Sequence, residues 1–162
     1  MPNVTSLNST GRYKDPSPGP YVPSGGHSVT LTASATLDDT YHKRTILLSA
    51  AAGLTVTLPA SSGSGIIFEI FVLTTVTSNN LIIQVANSTD ILAGVLHLTT
   101  DIAGTSMPTA TTSDTITMNG STTGGLAGSF VEVVDYAAGF WLVRAALVGS
   151  GTPATPFSAT VS

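Results

Sequence analysis

The chain has 162 residues, of which only 9% are charged, and its formal net charge is −4. Ordinary soluble chains carry roughly 25% charged residues, so part of this surface is expected to be buried in an oligomer or a larger assembly. The 5 Lys and Arg residues form no basic stripe, which argues against nucleic-acid binding. The lack of cysteine excludes disulfides and thiolate metal sites.

Residues 1–26 differ in composition from the rest of the chain and predict an extended N-terminal arm. Prolines at positions 16, 18, 20 and 23 remove backbone donors and favour polyproline-like backbone that cannot enter a central strand. Such a segment is expected to become ordered only against a partner. Arginine and tyrosine are common anchors at protein interfaces, so the candidate anchors are Arg12, Tyr13, Lys14 and Tyr21. A disordered linker is the alternative interpretation.

Residues 27–162 predict one β-domain, because strand-length apolar runs alternate with small polar clusters. The predicted strands cover residues 29–32, 44–48, 54–58, 66–73, 81–85, 91–98, 115–118, 130–135, 140–147 and 157–161. Residues 54–58 and 115–118 alternate apolar and hydroxyl side chains, which is typical of a sheet with one solvated face. Residues 66–73 do not alternate, so both faces of that strand are expected to be covered. This run is also far shorter than the about 20 residues needed to cross a bilayer.

The connections predict how these strands pair. Small or turn-forming residues at 61–65, 78–80, 119–120 and 137–139 indicate hairpins. Residues 55–85 and 115–145 share the same order of parts, which predicts two related three-strand meanders, unless the similarity is due to chance. Two such sheets would form a single antiparallel β-sandwich or flattened β-barrel. The expected core residues include Val56, Phe68, Ile70, Ile116, Val131 and Trp141.

Residues with catalytic or metal-binding chemistry form no known pattern. The sequence has no nucleophile elbow and no phosphate-binding loop. His27, His42 and His97 lack the spacing of zinc ligands, and no calcium loop is present, so we expect neither metal nor cofactor. Glu69 and Glu132 could form a catalytic carboxylate pair. Pairing of consecutive strands would instead place Glu132 opposite Arg144 as a cross-strand ion pair, and the chain is therefore predicted not to be an enzyme.

Four stretches of the sequence resemble the head decoration (cement) and head-fibre proteins of tailed bacteriophages. They are AAGLTVTLPASSGSG (51–65), TSNNLIIQVAN (77–87), TSDTITMNGSTTGG (112–125) and TPATPFSATVS (152–162). The resemblance implies a small, commonly trimeric β-domain on the outer capsid surface that clamps neighbouring capsid subunits, often through an N-terminal arm. No invariant chemical residue of this family can be assigned to a position of this sequence.

Composition and resemblance together predict a structural capsid decoration protein. It would bind the outer surface of a phage head as a homotrimer, with the major capsid protein as its partner and Arg12, Tyr13, Lys14 and Tyr21 as its capsid-binding residues. Neither nucleic acid nor membrane is an expected partner. The N-terminus lacks the apolar run of a signal peptide, so the chain would be made in the host cytoplasm. The alternative is a receptor- or carbohydrate-binding domain of a phage fibre or tail spike.

Overall fold

Residues 28–161 are described by the computed structural model, and they form twelve strands in two sheets. The seven-stranded sheet has the order β1 (Ser28–Leu31), β3 (Thr45–Leu48), β5 (Ile67–Val72), β10 (Phe130–Ala137), β11 (Phe140–Val148), β7 (Ile91–Thr99), β8 (Gly104–Pro108). The five-stranded sheet has the order β12 (Phe157–Ser158), β9 (Thr115–Met118), β6 (Leu81–Gln84), β4 (Leu54–Thr57), β2 (Ala35–Thr36). The sheets pack together, and this confirms the predicted all-β sandwich.

Only one short helix interrupts the strands of the described region, a 3₁₀ turn at Asp39–Tyr41. No helix between residues 28 and 161 is long and apolar enough to span a membrane. The arm formed by residues 1–26, including Arg12, Tyr13, Lys14 and Tyr21, lies outside the described residues.

The first six strands alternate between the two sheets. β1, β3 and β5 are parallel neighbours in the larger sheet, and β2, β4 and β6 are parallel neighbours in the smaller one. The chain thus winds around the core in the manner of a flattened parallel β-helix. Later strands add antiparallel pairs, such as β10 with β5 and β9 with β6. Each sheet is therefore mixed.

The core is a continuous apolar layer between the sheets. All six core residues expected from the sequence are buried, and the Trp141 ring stacks on Phe68 with a centroid distance of 5.8 Å. Period-two alternation directs one side of each strand into this layer, as in β5, where Phe68, Ile70 and Val72 are buried. The layer is completed from the smaller sheet by residues such as Ile83.

The expectation of purely antiparallel sheets is wrong in detail, since five of the ten strand pairs are parallel. The two predicted meanders are also wrong: β4, β5 and β6 belong alternately to the two sheets, and β9 belongs to the smaller sheet whereas β10 and β11 belong to the larger one. Residues 61–65 and 78–80 consequently cross between sheets, as does the connection containing residues 119–120. Residues 137–139 do form a hairpin, between β10 and β11.

Several strands begin or end at residues other than those predicted, because contacts with distant parts of the chain determine their boundaries. β2 and β8 were missed, since the first has two residues and the second contains Gly104 and Pro108. β12 ends at Ser158 rather than at residue 161, because the N–H groups of Thr160 and Val161 donate to the Asp114 carboxylate. Residues 28–161 cover only one face of the strand predicted at residues 66–73. One face is buried, but Ile67, Glu69 and Phe71 are only half-buried within residues 28–161.

Candidate interaction surface

The outer face of the seven-stranded sheet, meaning the side opposite the core, has charged residues in one row only. Register places Glu69 opposite Glu132, and Glu132 opposite Arg144. Arg144 Nε lies 3.3 Å from Glu132 Oε1, which confirms the predicted cross-strand ion pair. Glu69 has no ion-pair partner within residues 28–161. The row therefore has one more carboxylate than guanidinium groups.

The rows on either side of these charges are largely apolar. One row contains Leu47, Phe71 and Phe130 in register, and the Phe71 and Phe130 rings lie 4.7 Å apart. The other row places Ile67, Val134 and Leu142 side by side. Beyond it, Tyr136 and Phe140 form an exposed aromatic pair with centroids 6.1 Å apart. The described chain leaves this apolar face uncovered.

A groove lies at one end of the outer face, beside β3 and β5. Its volume is about 450 Å³, and it is lined by Thr45, Leu47, Glu69, Phe71, Leu73 and Gly128 among others. Leu73 is 53% exposed, which is unusual for a large apolar side chain beside other apolar groups. Glu69 is the charged residue among those that line the groove. The groove is therefore an apolar site with one carboxylate at its wall.

The outer face of the five-stranded sheet has the opposite character. Thr57 of β4 lies beside Gln84 of β6, and Ile82 of β6 lies between Thr55 of β4 and Thr117 of β9 on the same face. Hydroxyl and amide groups stay solvated without cost, so this face suits water. Thr55, Thr57 and Thr117 lie on this face as the alternation in residues 54–58 and 115–118 predicts, whereas Thr115 is buried. The two sides of the sandwich therefore differ in what they can bind.

Comparison of the chain with family models, curated proteins and solved structures gave no match in any of the three.

The histidines within the described region are structural in their contacts. His42 Nδ1 accepts a hydrogen bond from the Ile67 N–H at 3.1 Å, which links the turn before β3 to β5. His97 Nδ1 lies 2.8 Å from Ser106 Oγ, across the β7–β8 pair. His27 is outside the described residues. No group of three His, Asp or Glu side chains between residues 28 and 161 is placed to hold a metal ion.

Asp135 is a buried carboxylate that holds the connection between β4 and β5. It accepts hydrogen bonds from the backbone N–H groups of Ser62, Gly63 and Ser64 at 2.8–3.1 Å. The hydroxyls of Ser62 and Ser64 donate to it as well, at 3.1 and 2.7 Å. Gly63 has a φ of 79°, a conformation that glycine adopts without steric cost and that turns its N–H toward the carboxylate.

These hydrogen bonds determine the ionisation of Asp135. Burial of the carboxyl raises its pKa, but the hydrogen bonds from the Ser64 hydroxyl and from the Gly63, Ser64 and Ser62 backbone together outweigh burial. They lower the pKa of Asp135 from 3.8 to about 2. A carboxylate held in this way is ionised at neutral pH and has its acceptor positions filled. It stabilises the loop rather than serving as a proton acceptor for a substrate.

Two further buried carboxylates act in the same manner, Asp90 on the same β4–β5 connection and Asp114 on the chain that follows β12. Asp90 accepts from the Ser61 N–H at 2.8 Å and from the Ser61 hydroxyl at 2.9 Å. Asp114 accepts from the Thr160 and Val161 N–H groups at 2.9 and 3.1 Å. Sequence reasoning missed all three carboxylates because their partners are distant in the chain. The outer apolar face had a usable signal, namely the lack of alternation in residues 66–73.

We expect Asp135→Asn to lower the free energy of unfolding by about 1–3 kcal/mol, because the amide leaves buried donors without an acceptor. Chemical denaturation measures this change. Asp101→Asn is the matched control, since Asp101 is exposed and accepts one N–H bond, from Gly151. Its effect should stay below about 0.5 kcal/mol. Equal effects of the two substitutions would contradict the structural role of Asp135.

The lowered pKa of Asp135 also predicts a pH dependence. The folded-state pKa of about 2 lies below the ordinary value of 3.8, so this group's contribution to stability is fully present above about pH 4 to 5. It is lost as the pH falls toward 2, because the unfolded state then binds the proton more readily. Asp135→Asn should therefore flatten this part of the curve of unfolding free energy against pH.

Proposed function

We propose that this chain is a structural decoration protein of a tailed-phage head, which binds the outer capsid surface as a homotrimer and stabilises contacts between capsid subunits. The observation that supports this most directly is the uncovered apolar outer face of the seven-stranded sheet. An apolar face of this extent on a chain with 9% charged residues is typical of a surface that is buried in an assembly.

The rigidity of the domain fits a role in a protein shell. The buried carboxylates fix the loops at the ends of the sandwich, so the domain offers a rigid surface to its partners. Many copies on a closed shell also act together, and binding of each copy can be weak while the assembly is stabilised strongly. In this proposal the arm reaches the capsid through Arg12, Tyr13, Lys14 and Tyr21.

The alternative is a receptor- or carbohydrate-binding domain of a phage fibre or tail spike. The exposed pair of Tyr136 and Phe140 is the observation that favours it, because aromatic rings serve as platforms for sugars. Trp141 cannot take this role, since its side chain is fully buried against Phe68. A single aromatic pair on a wide apolar face fits a protein partner better than a sugar.

We expect the full chain to bind empty phage heads and not host cells. Replacing Arg12, Tyr13, Lys14 and Tyr21 together by serine should weaken binding to heads at least tenfold, because charged and aromatic anchors provide most of an interface's affinity. Co-sedimentation with heads measures this. Substituting Ser6 and Ser9 by alanine in the same arm is the control. Binding to host cells but not to heads would favour the alternative function.

We expect the chain to be a homotrimer at micromolar concentration, as measured by sedimentation equilibrium. Replacing Val95, Tyr136 and Phe140 by serine should shift it toward monomer. These side chains are 39%, 55% and 39% exposed, so the isolated subunit loses little stability. Ile102→Ser is the control, because Ile102 is 68% exposed but lies in the β7–β8 turn. A wild-type monomer would contradict the trimer.

A further inference from the structure

The groove beside β3 and β5 has the chemistry of a site for an apolar, weakly basic peptide. Its walls are formed by Leu47, Phe71 and Leu73, which give it an aromatic and aliphatic lining. Glu69 adds a carboxylate that has no ion-pair partner within residues 28–161. A partner that suits the groove would combine rigid apolar groups with one positive charge.

One segment of this chain combines rigid apolar groups with a nearby positive charge. Residues 16–23 contain four prolines and Tyr21, and they are preceded by Lys14 and Asp15, so the Lys14 ammonium has a carboxylate of its own chain beside it. Proline-rich segments bind aromatic-lined grooves well, because their polyproline backbone is already extended and loses little entropy on binding. We propose that residues 16–23 of this chain bind in the groove, with the Lys14 ammonium near the Glu69 carboxylate.

Register places the start of the described chain close to the groove. Ser28 is paired with Thr45, and Thr45 is paired with Glu69, so these residues lie in one row across the sheet. Two strand spacings of about 4.8 Å separate Ser28 from Glu69 by about 10 Å. The backbone from Ser17 to Ser28 spans up to about 34 Å at about 3.1 Å per residue. The segment can therefore reach the groove with ample length for a turn.

The sequence before β1 and the surface of β1 allow this path. Gly25 and Gly26 permit the turn that brings the chain back over the sheet edge. On β1, the outward residues Ser28 and Thr30 are small and exposed, so they leave space for a crossing chain. Docking concerns the free protein and does not depend on capsid binding. It leaves Arg12 and Tyr13 available to another protein, whereas capsid binding as proposed above also uses Lys14 and Tyr21 and would release the segment from the groove.

Disulfide trapping in the full chain tests the proposal, because the sequence has no cysteine of its own. One variant combines Ser17→Cys with Thr45→Cys in the groove. The control combines Ser17→Cys with Thr55→Cys, a threonine on the outer face of the other sheet with similar half-burial. In a glutathione buffer, the groove pair should form its disulfide at least tenfold faster than the control pair, as followed by mass spectrometry.

The form of the product identifies which copy supplies the segment. A disulfide within one chain means that the segment binds its own groove, and a disulfide between chains means that it binds a neighbour's groove; both support the proposal. Circular dichroism of the reduced variants checks that both are folded. Equal rates of disulfide formation for the two pairs would overturn the proposal. Adding Glu69→Gln to the groove pair should slow the reaction about two- to threefold, as expected for an exposed ion pair, and an unchanged rate would contradict the role of Lys14.

Discussion

The apolar layer between the two sheets determines how the strands and their connections are arranged. Because β1 to β6 alternate between the sheets, neither sheet can form without the other, and every crossing takes polar backbone past the end of the core. Buried backbone N–H groups need acceptors. Asp90 and Asp135 supply them at the β4–β5 crossing, and Asp114 supplies them to the chain that follows β12. The fold thus depends on the apolar layer and on the buried carboxylates that accept hydrogen bonds at its edge.

The buried carboxylates stabilise connections inside the molecule. The two outer faces differ in their proportion of polar and apolar side chains. The threonine-rich face of the smaller sheet carries hydroxyl groups that suit water. The outer face of the larger sheet combines Phe71, Phe130 and Leu142 with a single row of charges. Burial of its apolar surface against a partner would be favourable in free energy. Self-association, the docking of the arm and attachment to a shell are three proposed uses of this one property.

Local patterns in the sequence predicted much of the fold. Threonine alternation in residues 54–58 identified the solvated face, and the consecutive strands containing Glu132 and Arg144 identified their ion pair. Long-range pairing could not be predicted, because parallel neighbours such as β3 and β5 are joined through the opposite sheet. Asp135 was missed because its partners, Ser62 to Ser64, lie 71–73 residues away. The pattern of residues 66–73 indicated two apolar faces without showing that one remains uncovered.

We propose that the outer face of the seven-stranded sheet and the arm are buried in a phage head assembly. Electron cryo-microscopy of heads incubated with the full chain can test this proposal. We expect three-fold density on the outside of the shell, with the β-sandwich packed through its apolar face and the arm reaching a joint between capsid subunits. Heads without added density, or density attached through the threonine-rich face, would contradict it.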